Sequence, residues 1–368
     1  MYSSRGLVFG FALLLTHTFG IAHYGTYAMA FAAGAMLGVP LDSYFTTRSP
    51  RVTREIFLRE RSTRAIFGGA LMLLGIALWP FSFLGGFAVT KAGSDVAFQA
   101  SRSSLIRDGR PDQAQRADAM RQIVGVVCAA AYLLVSPAPE LAVVGALYLG
   151  GSALPIALGL QALTHSRPMR PEFDGRAMLI LGESIGGVAY VHAEVLLLGL
   201  LGSTTAAGYY SFGATIVWSL AALGQSFGAT FHEKLRDARG DIGAGPPLHT
   251  ALLLSASTAL VVLGIAVSLW LSDAPEGLWL TFAVLAPVSF LRTLSSVATV
   301  VLVLQHRDRF RLCVTVVSVT VKGCLILVLA SHGGPGAAVA FVVADLIMST
   351  SYAVAVYGRR PTPGFAGA

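Results

Sequence analysis

The sequence predicts an all-α integral membrane protein of about twelve transmembrane helices in two six-helix lobes, residues 1–165 and 166–368, with both termini cytoplasmic. Three observations predict it. Of the 368 residues, 12% are charged and 55% are hydrophobic, whereas a soluble domain carries about 25% charge. Apolar stretches approaching the roughly 20 residues that cross a bilayer recur along the whole chain. Basic residues crowd into alternate connections between those stretches. So little charge cannot solvate a water-facing surface, and a soluble enzyme is excluded.

In chain order, the first stretch covers residues 6–20. It is short enough to pass for a signal peptide. However, no small-residue cleavage site leads into a soluble domain, and a second span, 24–44, follows directly. The third, fourth and fifth (65–79, 81–98 and 122–135) are short or polar, so ten or eleven spans also fit. Residues 141–163 close the first lobe. The second lobe takes 177–201, 208–230, 248–271, 278–304, 312–330 and 336–356.

Loop charge tests this count. With the N-terminus inside, Arg5 and the inner segments 48–64, 102–121, 167–176, 234–239, 307–311 and 359–360 hold 23 of the 26 Lys and Arg. The outer connections around 21–23, 80, 136–140, 203–207, 272–276 and 331–335 hold none. One miscounted span would flip every later loop. The formal charge of +7 is therefore read as orientation, with the lipid bilayer rather than nucleic acid as the partner. Outer loops this short hold no plausible nucleophile–base pair, and no GxxxxGK[ST] or GxGxxG pattern follows a strand. Neither enzyme activity nor a cofactor is expected. Cys128, Cys313 and Cys324 lack metal-ligand spacing and read as small core residues.

A weak internal repeat accompanies the two lobes. Gly25 aligns with Gly208 and Tyr27 with Tyr210 at an offset of 183, and Leu37-Gly38 parallels Leu223-Gly224 after a three-residue slip. Six helices repeated in one orientation give two lobes related by an axis along the membrane normal.

The stretch FGIAHYGTYAMAFAAGAMLGVPLDSYFTTRSPR resembles the opening of the polysaccharide-biosynthesis flippases, in the superfamily that also holds multidrug exporters. VHAEVLLLGLLGSTTAAGYYSFGATIVWSLAALGQSFGATF is similar to that family's seventh and eighth helices, and SHGGPGAAVAFVVADLIMS to its last hairpin. The resemblance implies a MATE-like flippase fold that moves undecaprenyl-pyrophosphate-linked oligosaccharide across the bacterial inner membrane. One departure stands out. Where many members carry Arg before the Gly that ends helix one, this chain reads Thr16-His17-Thr18-Phe19-Gly20.

Eight ionisable residues other than His fall inside the spans: Lys91, Arg292, Lys322, Asp42, Asp95, Glu183, Glu194 and Asp345. A charge at the bilayer centre costs about 2.5–3.5 kcal/mol on insertion scales, so each needs a partner or a water-filled cavity. In the fourth span Lys91, Asp95, Gln99 and Arg102 fall within about 80° of one another. They line a cavity, or Lys91 and Asp95 neutralise each other. In the tenth, Ser289, Arg292, Ser296 and Thr299 share a face, and Pro287 is expected to break the helix one turn earlier. Lys91 and Arg292 then present one cation per lobe, suited to a pyrophosphate. Lys322 is a third candidate, or an ion-pair partner for Asp345. In the seventh span Glu183, Gly187, Tyr190 and Glu194 share a face with Arg176 at its mouth. Glu194 lies where the resembling families often carry an acid. His192, opposite, reads as a packing residue, and Asp42 as a helix-end residue. Gly34, Gly38, Gly85, Gly86, Gly186 and Gly187 read as close-approach positions.

The expected substrate-binding residues are thus Lys91, Arg292, Lys322, Asp95 and Gln99, and the ion-coupling residues Glu194, Glu183 and Asp345. The expected partners are a lipid-linked oligosaccharide, Na⁺ or H⁺ as coupling ion, and glycan-assembly proteins. Two other readings stand beside the flippase: a Na⁺- or H⁺-coupled drug or metabolite exporter of the same fold, and a membrane glycan polymerase or ligase. Short outer loops count against the last.

Overall fold

The computed structural model describes residues 2–49, 52–153, 156–157, 166–170, 175–238, 241–305 and 307–358. Arg51, Arg239, Arg359 and Arg360 lie outside them, as do the side chains of Arg5 and Arg176 and most of 154–165. Among the described residues there is no strand. Twelve helices of ten residues or more follow one another: α1 (Tyr2–Phe19), α2 (Ile21–Arg48), α3 (Arg54–Leu78), α4 (Phe83–Arg107), α5 (Pro111–Val135), α6 (Leu141–Gly150), α7 (Gly175–Leu201), α8 (Thr204–Ala229), α9 (Leu248–Leu271), α10 (Glu276–Leu304), α11 (Asp308–Leu329) and α12 (Gly333–Tyr357). Each expected span overlaps one of these helices; of the sixth, 141–163, residues 154–155 and 158–163 lie outside the described residues.

Several helices run well past the apolar stretch that predicted them. α3 starts at Arg54, where the Thr53 hydroxyl accepts from the Ile56 N–H at 3.5 Å, and α5 starts with Pro111 at its first position. Hydropathy marks where a helix enters hydrocarbon, whereas capping residues mark where it begins. The short connections Trp79–Ser82, Ser136–Glu140, Gly202–Ser203, Ser272–Pro275 and Ala330–His332 carry no Lys or Arg. Between α1 and α2 there is only Gly20, at φ 83°, a left-handed conformation that glycine adopts without steric cost.

Two expectations about local structure are corrected. Pro287 lies inside α10, which continues through it for 29 residues. The proline removes one backbone donor without ending the helix, since packed neighbours hold both flanks: Ala286 and Val288 are buried. The three cysteines are exposed on their helices rather than in the core. A thiol behaves as a small apolar group, so hydrocarbon accommodates it as readily as a protein interior.

Contacts divide the chain into two compact units, Met1–Gly199 and Leu200–Ala368. This division falls later than residue 165 because α7 packs on α2. Ile180 packs against Tyr44 and Phe45, His192 lies on the Phe31 ring at 6.4 Å, and Met29 fills the space beside Gly199. In the first unit α3 and α4 approach so closely that a Cβ on Gly93 would stand 2.5 Å from the Gly68 carbonyl oxygen. Of the glycines expected at close approaches, Gly34, Gly38 and Gly86 are such positions, whereas Gly186 and Gly187 face open space within the unit.

The end of the first unit that carries most of its arginines holds a buried ionic clasp. Arg64, 1% exposed, donates from Nε to Asp42 Oδ1 at 2.9 Å and from Nη1 to Ser103 at 3.1 Å. Arg48 pairs with buried Glu60 at 3.1 Å, and Arg107 Nη2 donates to the Val52 carbonyl at 2.8 Å. Asp42 is therefore an ion-pair partner between helices, more than a helix-end residue. In the second unit Thr258, Thr293 and the Ser289 carbonyl form a buried hydrogen-bonded seam between α9 and α10.

Candidate functional site

Three helices of the first unit bring polar side chains to one point, and α2 adds an aromatic ring. α4 contributes Lys91, Ser94 and Asp95, spaced so that all three face the same side. The Asp95 carboxylate accepts from Lys91 Nζ at 2.6 Å on one oxygen and from Arg121 Nη1, on α5, at 2.7 Å on the other. Arg121 reaches Asp118 at a looser 3.6 Å on its outer flank. Each cation also rests on an aromatic face: Lys91 Nζ is 4.4 Å from the centre of Phe31 on α2, and Arg121 Cζ is 4.4 Å from that of Phe98. Contacts of this kind add up to about 2 kcal/mol when desolvated. They leave N–H donors unspent, since an ammonium has three and a guanidinium five.

These groups surround a cavity of about 70 Å³ lined by Phe31, Lys91, Ser94, Asp95, Arg121, Tyr148 and Ser152, among others. That is room for about two waters. Ser94, 1% exposed, directs into it a hydroxyl oxygen with no hydrogen-bond partner. Gly34, one turn along α2 from Phe31, makes room for the Lys91 stem: a Cβ there would stand 2.8 Å from Lys91 Cδ. Phe11, Tyr27, Phe31 and Tyr148 pack ring on ring behind the cavity.

The second unit builds a counterpart from the corresponding helices. Arg292 on α10 lies 4.2 Å over the Trp218 ring of α8 and donates from Nη1 to Asp345 Oδ1 on α12 at 3.3 Å and to Met348 Sδ at 3.2 Å. Lys322 on α11 lies 3.8 Å over Phe341 of α12, and the Trp218 and Phe341 rings are 6.1 Å apart. A stack of Arg292, Trp218, Phe341 and Lys322 results. Each unit thus sets one Lys and one Arg on aromatic faces, with a carboxylate accepting from a cation. α2, α4, α5 and α6 furnish the first site; α8, α10, α11 and α12 furnish the second.

The structure sorts the residues singled out in the sequence. Lys91 and Asp95 both pair with each other and line a cavity. Gln99 stands one turn away, accepting from Arg102 at 3.2 Å, and does not line it. Asp345 is fully buried and takes Arg292 as a partner. Glu183 and Glu194 share a face of α7 but not an environment: Glu194 is fully buried while Glu183 is exposed. Among the described residues no group of three His, Cys, Asp or Glu side chains is placed to hold a metal ion.

Sequence reasoning missed Arg121, which had been counted among loop arginines. A signal was present. Lys91 and Arg121 are 30 residues apart, and so are Arg292 and Lys322. Equal spacing places both pairs on corresponding helices.

Solved structures share this fold, three of them as follows. Lipid II flippase MurJ, in an inward closed conformation, matches with a TM-score of 0.71 at 12% identity over 96% of this chain and 86% of its own. An inward-facing multidrug resistance MATE family transporter of the MOP superfamily matches with a TM-score of 0.64 at 12% identity, over 99% of this chain and 96% of its own. The MATE multidrug transporter DinF-BH, in complex with R6G, matches at 0.61 and 15% identity, over 98% and 92%. No protein-family model matches the chain, and no curated protein sequence does. The fold is therefore MurJ- and MATE-like, that of a multi-pass membrane protein.

Proposed function

We propose that the chain is a flippase of the bacterial inner membrane that carries an undecaprenyl-pyrophosphate-linked oligosaccharide from the cytoplasmic to the outer leaflet by alternating access. The observation that carries this reading is the cavity on α4: Lys91 and Arg121, with donors to spare, and the unpartnered Ser94 hydroxyl converge on one space. Such a group is made to receive phosphoryl oxygens, for which Arg supplies a fork and Lys a point charge. Asp95 acts as the internal counter-ion that keeps both cations in place until a phosphate displaces it. Arg292 and Lys322 form the equivalent group in the second of two functional lobes, 1–165 and 166–368. Gln99 and Arg102 extend the first group by a turn, and glycan-assembly proteins supply the substrate.

A coupled exporter of the same fold is the second reading, favoured by the buried carboxylates Glu194 and Asp345. In either case these two are the coupling acids for Na⁺ or H⁺, with Glu183 a third, exposed one. The test is translocation in proteoliposomes, reading the leaflet of a fluorescent lipid-linked oligosaccharide. Wild-type protein is expected to equilibrate the leaflets and Arg121→Ala to fail. Uptake of an organic cation without lipid movement would transfer the assignment to the exporter.

A further inference from the structure

On the other side of α6 from the cation cavity lies an open apolar groove. It has a volume of about 470 Å³ and is bounded by Ile76 of α3, Trp79 just past its end, Thr90 of α4, and Ala146, Leu149 and Gly150 of α6. That size falls within the roughly 300–1,000 Å³ of pockets that enclose drug-sized ligands. Polar groups are few among these residues: the Trp79 indole N–H, and the Thr90 hydroxyl, which donates to the Gly86 carbonyl at 2.7 Å. What the groove offers a ligand is chiefly hydrocarbon contact.

Its position gives it meaning. Leu149 lines both spaces, and Thr90 of the groove is followed directly by Lys91 of the cavity. On α6 Tyr148 faces the cavity while Ala146 and Gly150 face the groove, on nearly opposite sides of the helix, and just beyond its end Ser152 lines the cavity and Ala153 the groove. A charged compartment and an apolar one therefore meet at a single side chain. The unpartnered Ser94 hydroxyl, buried and directed into the charged compartment, marks it as built for a polar group.

We infer that the groove holds the first isoprenoid units of a lipid diphosphate whose phosphate lies on Lys91 and Arg121. This rests on the flippase reading above and adds the place of the tail. The head–tail junction crosses at Leu149, and the apolar chain stays in contact with hydrocarbon while the diphosphate is held among cations. The groove thereby selects a long-chain carrier over a soluble diphosphate of the same head chemistry.

The test uses the full-length protein in detergent with three probes: undecaprenyl diphosphate, inorganic pyrophosphate, and a polyprenyl diphosphate carrying a photoreactive diazirine on its first isoprene units. A Cβ at Gly150 meets nothing within 4 Å, so Gly150→Phe fills the groove without a clash in the fold; Ile76→Trp narrows it from the opposite wall. Both variants are expected to weaken undecaprenyl diphosphate at least tenfold and to leave pyrophosphate unchanged. Lys91→Ala is expected to weaken both. The diazirine is expected to label residues of α3 and α6 that line the groove. Wild-type affinity for undecaprenyl diphosphate in both groove variants, or labelling spread evenly over the exposed apolar surface, overturns the inference and identifies the groove as a seat for bilayer lipid. Pyrophosphate binding that survives Lys91→Ala instead overturns the head site, and the groove variants still report on the tail.

Discussion

Lys91 and Arg121 hold opposite oxygens of one carboxylate, Asp95, at 2.6 and 2.7 Å. One comes from the same helix as the acid, a turn away, and the other from the next helix. Either cation can therefore be removed without leaving the half-buried acid unpaired, and their effects on folding and on function separate.

Lys91→Ala is expected to leave insertion and accumulation near wild type, because Arg121 still holds Asp95. Hydrogen bonds to charged groups contribute about 1.5–3 kcal/mol, so translocation should fall about tenfold or more. Were Lys91 only a counter-ion, Lys91→Ala would translocate normally, and the proteoliposome assay decides. Lys91→Ala combined with Asp95→Ala recovering wild-type flux would equally sink the binding role.

Arg292→Ala is expected to damage the protein itself more than Lys91→Ala does. It takes the guanidinium away from Asp345, which is fully buried. The same truncation also uncovers the Trp218 ring and Met348 Sδ, so contacts to three side chains are lost at once. Melting in detergent should show a lower Tm for Arg292→Ala than for Lys91→Ala. Arg292→Lys should recover stability but only part of the translocation, since an ammonium sits on Trp218 without forking around two oxygens.

Three glycines should rank in order. Gly93→Ala puts a methyl 2.5 Å from a backbone oxygen and should lower Tm most; overpacking typically costs about 1–3 kcal/mol. Gly34→Ala meets the Lys91 side chain first, so its effect should fall on translocation more than on stability. Gly186→Ala meets nothing within 4 Å and should be neutral. An equal loss of Tm at all three positions would contradict the packing described for α2, α3 and α4.

Arg64→Met should be among the least stable single variants, since it leaves Asp42 buried without its guanidinium. Arg64→Met combined with Asp42→Leu should recover much of the loss, because an apolar pair of similar volume replaces a buried ion pair at little net cost. Purified yield and Tm measure both.

Topology follows from labelling a variant whose three exposed native cysteines are replaced by Ser. New cysteines at Ser136 and Ser272 should react with an impermeant reagent from outside, and those at Asp108 and Arg309 only after permeabilisation. Ser103 is unsuitable as an inner reporter because it is buried against Arg64. External labelling at Asp108 would overturn the orientation read from loop charge.

The sequence by itself determined the class, the order of the helices, and the three cations left inside the spans. Hydropathy and charge are properties of consecutive residues, and the bilayer reads them one segment at a time. It also carried the 30-residue spacing that relates Lys91 and Arg121 to Arg292 and Lys322. Only the tertiary structure decided which acid each cation meets. Asp345 pairs with Arg292 from 53 residues away, and Arg121 turns from a loop arginine into a partner of Asp95. Glu183 and Glu194, on one helix face, part company because their neighbours come from other helices. Arg64 is buried for the same reason. A single helix fixes the direction of a side chain; what lies in that direction is fixed by the packing of helices distant in sequence.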